Sequence, residues 1–223
     1  MHDIDLFMKY PLEVQEELFK KLITTARHTE FGRTHGFADI HTQEQFRRMI
    51  PIFSYEEIHP YIERNMRGEQ NLLWPSDVKW FAKSSGTTNA RSKFIPVSYE
   101  ALEECHFKGG KDMLSVYCNA NPETKMFAGK GLTIGGSQQV NQFDSNSESF
   151  YGDVSAVIMS NLPYWTRFVR TPTLEIALMD EWEAKIERMA QYTVEENVTS
   201  ISGVPTWTIV LLQRLLDITG KSN

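Results

Sequence analysis

Lys83-Ser-Ser-Gly-Thr-Thr-Asn-Ala-Arg-Ser-Lys-Phe-Ile-Pro96 is the stretch on which the reading of this chain turns. It sets the hydroxyls of Ser84, Ser85, Thr87 and Thr88 beside Gly86 and the cations Arg91 and Lys93. The flanks, Val78 to Ala82 and Phe94 to Val97, are apolar and favour extended backbone, so the polar stretch is expected to be a loop linking two strands. Hydroxyls and backbone N–H groups donate to several anionic oxygens at once, a glycine lets the backbone approach closely, and a lysine neutralises charge. These are the parts of a phosphate grip, and a nucleoside triphosphate is its natural guest. Ser, Thr, Gly and Asn also dominate ordinary solvated turns, so composition by itself leaves both readings open.

Before the loop, Leu12 to about Thr29 reads as a helix, with Val14, Leu18, Leu22 and Ala26 four apart and Phe19 and Ile23 widening the stripe. Thr42-Gln-Glu-Gln45 and Ser54-Tyr-Glu-Glu57 match the capping box that starts a helix, and Pro51 and Pro60 punctuate these short elements. After the loop, Ser98 is placed to cap a helix running to about Asn119, weakened at Gly109-Gly110. Met126 to Gly136 reads as a strand, Val154 to Met159 as a second apolar run, and Asp180 to Tyr192 as a helix. Val198 to Val204 is expected to be a buried strand and Trp207 to Thr219 another apolar helix. Strand, loop and helix recur, which predicts an α/β domain with a mostly parallel sheet flanked by helices. The expected organisation is a helical start over about 1–70 and an α/β portion over about 71–223, with no repeat or linker.

With 41% hydrophobic residues among 223, the chain can bury a core without disulfides or a structural metal. A net charge of −6 argues against a nucleic-acid partner, which demands a basic face. Residues 1–10 lack the basic start and apolar run of a signal peptide, and no segment approaches the roughly 20 apolar residues needed to span a bilayer. The expectation is a soluble, cytoplasmic protein with no membrane partner. Cys105 and Cys118 form no Cys-x-x-Cys unit and read as reduced thiols.

Rival signatures fail on spacing. Gly129-Lys-Gly131 with Gly135-Gly136 carries Ile134 where a dinucleotide fingerprint needs its third glycine, and Gly220-Lys-Ser222 carries Leu215 where a Walker A loop needs its first. Neither a His-Glu-x-x-His zinc motif nor a Gly-x-Ser-x-Gly nucleophile elbow is present.

The whole loop resembles the phosphate-binding loop of the GH3 family, the acyl-acid amido synthetases first known as auxin-responsive plant proteins and also found in bacteria. The resemblance continues through Thr29-Glu-Phe-Gly32, Pro51-Ile-Phe-Ser-Tyr-Glu56, Gly68-Glu69, Ser137 after paired glycines, Gly152-Asp153 and Gly203-Val-Pro-Thr-Trp207, in the family's order. One departure concerns Asn89 to Lys93: where many plant members have two glycines and Lys-Pro-Lys, Arg91 takes the first lysine's position and Lys93 the second's. Arg91 keeps the charge but not the compact ammonium.

The resemblance implies the amino-terminal part of the large domain of an acyl-adenylating enzyme, using ATP and Mg²⁺ to join a small carboxylic acid to an amine or amino acid. It implies that Ser84, Ser85, Gly86, Thr87, Thr88, Arg91 and Lys93 bind the nucleotide, with Ser85, Thr87 and Thr88 as donors to the phosphates, Gly86 as the turn and Lys93 as the counter-charge. It implies an acyl pocket along the following helix, at His106, Lys108, Gly109 and Lys111, with Trp207 approaching the acyl group. Solvated lysines and a core tryptophan are the competing readings of those positions. The later motifs of such enzymes find no match, so these residues are expected to be inactive by themselves. A nucleotide-binding module without catalysis and an acyl-CoA ligase-like enzyme are the alternatives.

Overall fold

The computed structural model describes residues 2–84, 92–135, 141–143 and 148–220. It opens with helices α1 (His2–Lys9), α2 (Pro11–Ala26), α3 (Glu30–Thr34), α4 (Gln43–Met49) and α5 (Tyr55–Met66), then strands β1 (Trp80–Lys83) and β2 (Phe94–Val97). A seven-residue π-helical segment, Ala101–Phe107, runs into α6 (Lys108–Ala120). Then follow β3 (Lys130–Ile134), β4 (Asn141–Gln142), β5 (Phe150–Asp153), α7 (Val154–Ser160), β6 (Arg170–Thr171) and α8 (Leu174–Ala177). The series closes with α9 (Trp182–Thr193), β7 (Val198–Gly203) and α10 (Pro205–Thr219). They gather into two compact units, Met1–Ala120 with Gln142–Tyr151, and Asn121–Asn141 with Gly152–Asn223.

In the first unit, Ile23 and Ala26 of α2 are buried with Phe37 and Ile40, and Phe19, Phe31, Phe46 and Trp74 pack around them. The stripe that packs is thus Phe19, Ile23 and Ala26, while Leu18 and Leu22 remain exposed. On a 3.6-residue period a four-residue series rotates around the helix, so the series from Val14 comes onto the buried face only at Ala26. Both expected capping boxes form: Thr42 and Gln45 at the start of α4, Ser54 and Glu57 at the start of α5. Pro60 lies inside α5 and does not break it; buried Ile62 and Asn65 hold the turns beyond. Strands β1 and β2 pair antiparallel with Lys83 opposite Phe94, in a sheet ordered β2-β1-β5-β4. Phe81, fully buried, fills the space between this sheet and Ile62 of α5.

In the second unit, β3 lies between β6 and β7 and is parallel to both, as the strand–helix alternation predicts. Leu132 and Ile134 of β3 meet Ile186, Met189 and Ala190 of α9 and Leu211 of α10. Gly129 is required where β3 begins, because a Cβ there would sit 2.1 Å from the Asn197 carbonyl oxygen. The apolar run from Val154 is helical, with Ala156, Val157 and Met159 buried. Expected to be buried, β7 instead has a half-buried first half and an exposed second half from Ile201 onward. It pairs along one edge only, so one flank faces solvent among the described residues.

Candidate functional site

The mouth of the loop is tied before the loop begins. Ser84, following β1, donates its N–H to the Lys93 carbonyl at 2.8 Å, and the Lys93 N–H returns to Ser84 Oγ at 3.1 Å. Tyr55, the first residue of α5, reaches the same place: its hydroxyl accepts from the Phe94 N–H at 2.9 Å and donates to the Phe94 carbonyl at 3.4 Å. The Lys93 ammonium lies 5.0 Å from the Tyr55 ring centroid, a cation over an aromatic face. Tyr55 therefore sets both the strand after the loop and the position of its lysine. Ser85, Gly86, Thr87, Thr88 and Arg91 lie outside the described residues.

Contacts from α3 and the segments around it fix α5 in turn. Thr29 is completely buried; its hydroxyl donates to the Ala26 carbonyl at 2.7 Å and accepts from the Gly32 N–H at 2.9 Å, capping α3. A Cβ at Gly32 would lie 2.1 Å from the Ala26 oxygen, so a glycine is needed where α3 abuts the end of α2. Glu30 receives a two-pronged bond from Arg64 of α5, at 2.7 and 2.8 Å, and Arg64 also binds Glu69, Nε to Oε2 at 2.8 Å. Hydrogen bonds from that guanidinium hold both carboxyls below the ordinary carboxylate range and raise Arg64 in return. Phe31 stacks on His35 at 4.0 Å and meets Phe37, Phe53 and Tyr61 edge-on. The short motifs of residues 29–32, 51–56 and 68–69 are parts of one clamp on α5.

The candidate acyl-side residues follow β2 on one helical stretch. Its irregularity lies over Ala101–Phe107, ahead of the Gly109-Gly110 pair, with Lys108 N–H bonded to the Glu103 carbonyl five residues back. Such wide turns recur at functional sites in helices. His106 and Lys111 are exposed, and Gly109 faces open space. Lys108 pairs with Asp112 at 3.3 Å and lies 5.4 Å from the Phe7 ring centroid. None of these four lines the cavity of about 210 Å³ between Leu72, Trp74, Pro96 and Ser98. Trp207 belongs to the second unit, in the first turn of α10, where its ring lies 5.2 Å from that of Trp182 against the core.

Two residues with positioning roles escaped the sequence reading. Tyr55 was legible only as part of a motif, because its partner is the backbone of Phe94. Lys185 is fully buried, and its ammonium donates to the Gly135 carbonyl at 3.1 Å, just beyond the carboxyl end of β3. Desolvation pushes its pKa down, with Asp180 opposing. Its signal was a lysine on the apolar stripe formed by Trp182, Ile186 and Met189. Among the described residues no group of three or more His, Cys, Asp or Glu could hold a metal ion. No described helix is long and apolar enough to cross a membrane.

A family model, the GH3 family N-terminal domain, matches residues 1–223. The chain is 29% identical over 92 residues to a jasmonoyl–L-amino acid synthetase of Nicotiana attenuata, covering 41% of this chain and 16% of that one. It is 28% identical over 92 residues to an indole-3-acetic acid-amido synthetase of Arabidopsis thaliana, covering 41% and 15%. It is 30% identical over 95 residues to a 4-substituted benzoates–glutamate ligase of Arabidopsis thaliana, covering 42% and 16%. Among solved structures, the GH3.15 acyl acid amido synthetase superimposes with a TM-score of 0.71 at 16% identity, over 96% of this chain and 37% of that one. The chain thus spans little more than a third of that relative's length. At such identity the likeness establishes the fold.

Proposed function

The chain belongs to the GH3 family, and from that premise we propose that it is the amino-terminal portion of an ATP-dependent acyl-acid amido synthetase, with its phosphate grip in the loop between β1 and β2. In that chemistry a carboxylate oxygen attacks the α-phosphorus of ATP and pyrophosphate leaves with the electrons of the broken P–O bond. An amine then displaces AMP from the acyl carbon to form the amide. The acid and the amine are a small carboxylic acid and an amino acid or other amine, by analogy with the relatives' names. The single observation that carries the reading is the tied hairpin mouth, with Ser84 and Lys93 bonded across it and Tyr55 anchoring the strand and lysine behind them.

Each side chain has a task. Lys93, held over the Tyr55 ring, places a cation at the end of the loop to meet phosphate oxygens. Ser85, Thr87 and Thr88 donate to the same oxygens, Gly86 permits the close approach, and Arg91 adds charge. Donors oriented before reaction stabilise the charge growing on pyrophosphate without reorganising water. Ser84 holds the mouth closed. His106, Lys108, Gly109 and Lys111 form the acid-facing side, with Lys108 leaving Asp112 for a substrate carboxylate. No group of three or more His, Cys, Asp or Glu among the described residues could hold Mg²⁺ by itself.

Isothermal titration with ATP tests the grip. The 223 residues are expected to bind ATP weakly and to release no pyrophosphate, with Lys93→Ala and Thr87→Ala each weakening binding by about tenfold, the effect of one charge-assisted hydrogen bond. Unchanged affinity in both variants removes the basis of the proposal.

A further inference from the structure

The first unit holds a cavity of about 210 Å³ where α5, the segment leading into β1, β2 and the start of the π-helical segment meet. None of the residues assigned above to the phosphates or the acid lines it. Leu72 and Val78 are buried in its walls, Leu73, Trp74 and Pro96 are half-buried, and Ala101 is exposed. The cavity therefore opens to solvent beside Ala101.

The polar side chains at its wall are engaged elsewhere. Asn65 donates from Nδ2 to the Glu69 carbonyl at 2.7 Å and to Gln70 Oε1 at 3.2 Å. Ser98 Oγ accepts from the Ala101 N–H at 3.1 Å. Trp74 Nε1 donates to Glu100 at 3.1 Å, and the same carboxylate takes hydrogen bonds from Ser76 and Ser98, which fixes the indole ring from outside the cavity. Among the described residues no charged side chain lines the cavity. Nothing in the wall can therefore pair with a charged guest, and an unpaired charge is costly to take out of water. Shape and apolar contact remain as the means of recognition. An apolar cavity of about 150 Å³ takes up benzene, so this one suits a single substituted ring, and the fixed indole of Trp74 favours an aromatic one.

We propose that this cavity binds a small, neutral, apolar aromatic molecule of one ring, held by Leu72, Leu73, Trp74 and Val78. Its walls include Pro96, three residues beyond Lys93 on β2, and Ala101, the first residue of the π-helical segment, so an occupant touches both elements that follow the loop without entering it. Binding there requires no nucleotide, and its failure leaves the proposed ATP grip untouched. Methyl NMR of the chain, without ATP, titrated with toluene, benzoate and benzylammonium, tests it.

Toluene is expected to shift the Leu72, Leu73 and Val78 methyls saturably. Benzoate and benzylammonium, which place a charge on the same ring, should bind there at least about tenfold more weakly. Ala101→Leu, which fills the mouth, should weaken toluene by about tenfold or more while the Ile23 and Ile186 methyls keep their positions. If that variant unfolds, Leu73→Phe, which narrows the cavity from its wall, must weaken toluene instead. Binding of either charged ring as tight as that of toluene, an unaffected Ala101→Leu or Leu73→Phe, shifts that do not saturate, or shifts confined to methyls elsewhere overturns the proposal.

Discussion

Arg64 shows what one side chain contributes. It joins Glu30 at the start of α3 to Glu69 beyond α5, and its hydrogen bonds lower the pKa of both acids from the ordinary 4.5. A carboxyl with a depressed folded pKa stabilises fully above its unfolded value, and that contribution is lost as pH falls through the folded value. Thermal melts should therefore show stability falling with acid below about pH 4.5, and Arg64→Met should show a shallower fall. An unchanged acid limb in the variant would detach the clamp from stability. Residues 29–32 and 68–69 could be picked out in the sequence as motifs, yet their reason could not, because Arg64 lies in neither and nothing local marks it as their partner. Lys185 was legible in principle, as a charge on an apolar helical stripe.

At the scale of elements, the loop between two strands was readable because β-favouring flanks bracket a stretch that favours neither strand nor helix. The capping boxes were readable too, since their bonds span three residues and need nothing from elsewhere. What failed was decided by tertiary packing: which of two overlapping stripes of α2 turns inward, whether β7 receives a second neighbour, and where the helix after β2 widens. Tyr55 links the two kinds of information, since α5 is legible but its bond to Phe94 is not. Tyr55→Phe keeps the ring beneath Lys93 and removes the hydroxyl. It should cost about 1 kcal/mol of stability, read by denaturant titration, and weaken ATP binding severalfold. Full ATP affinity in the variant would show that the anchored strand does not position the grip.

Across the molecule, α/β alternation foretold the parallel pairing of the second unit, and the motifs in order foretold the family. The division into two compact units was not foretold, because β4 and β5 return residues 142–151 to the first unit after the chain has entered the second. Such a return leaves no linker and no shift in composition to read. The candidate site was legible as a loop with flanking strands, whereas the cavity beside Trp74 was not, since α5, β2 and the π-helical segment meet only in three dimensions. Hydrogen exchange over residues 84–93, with ATP, pyrophosphate or adenosine at matched saturation, tests the phosphate grip most directly. Slowed exchange with ATP and pyrophosphate but not with adenosine is the predicted result; no protection, or protection by adenosine alone, would contradict it.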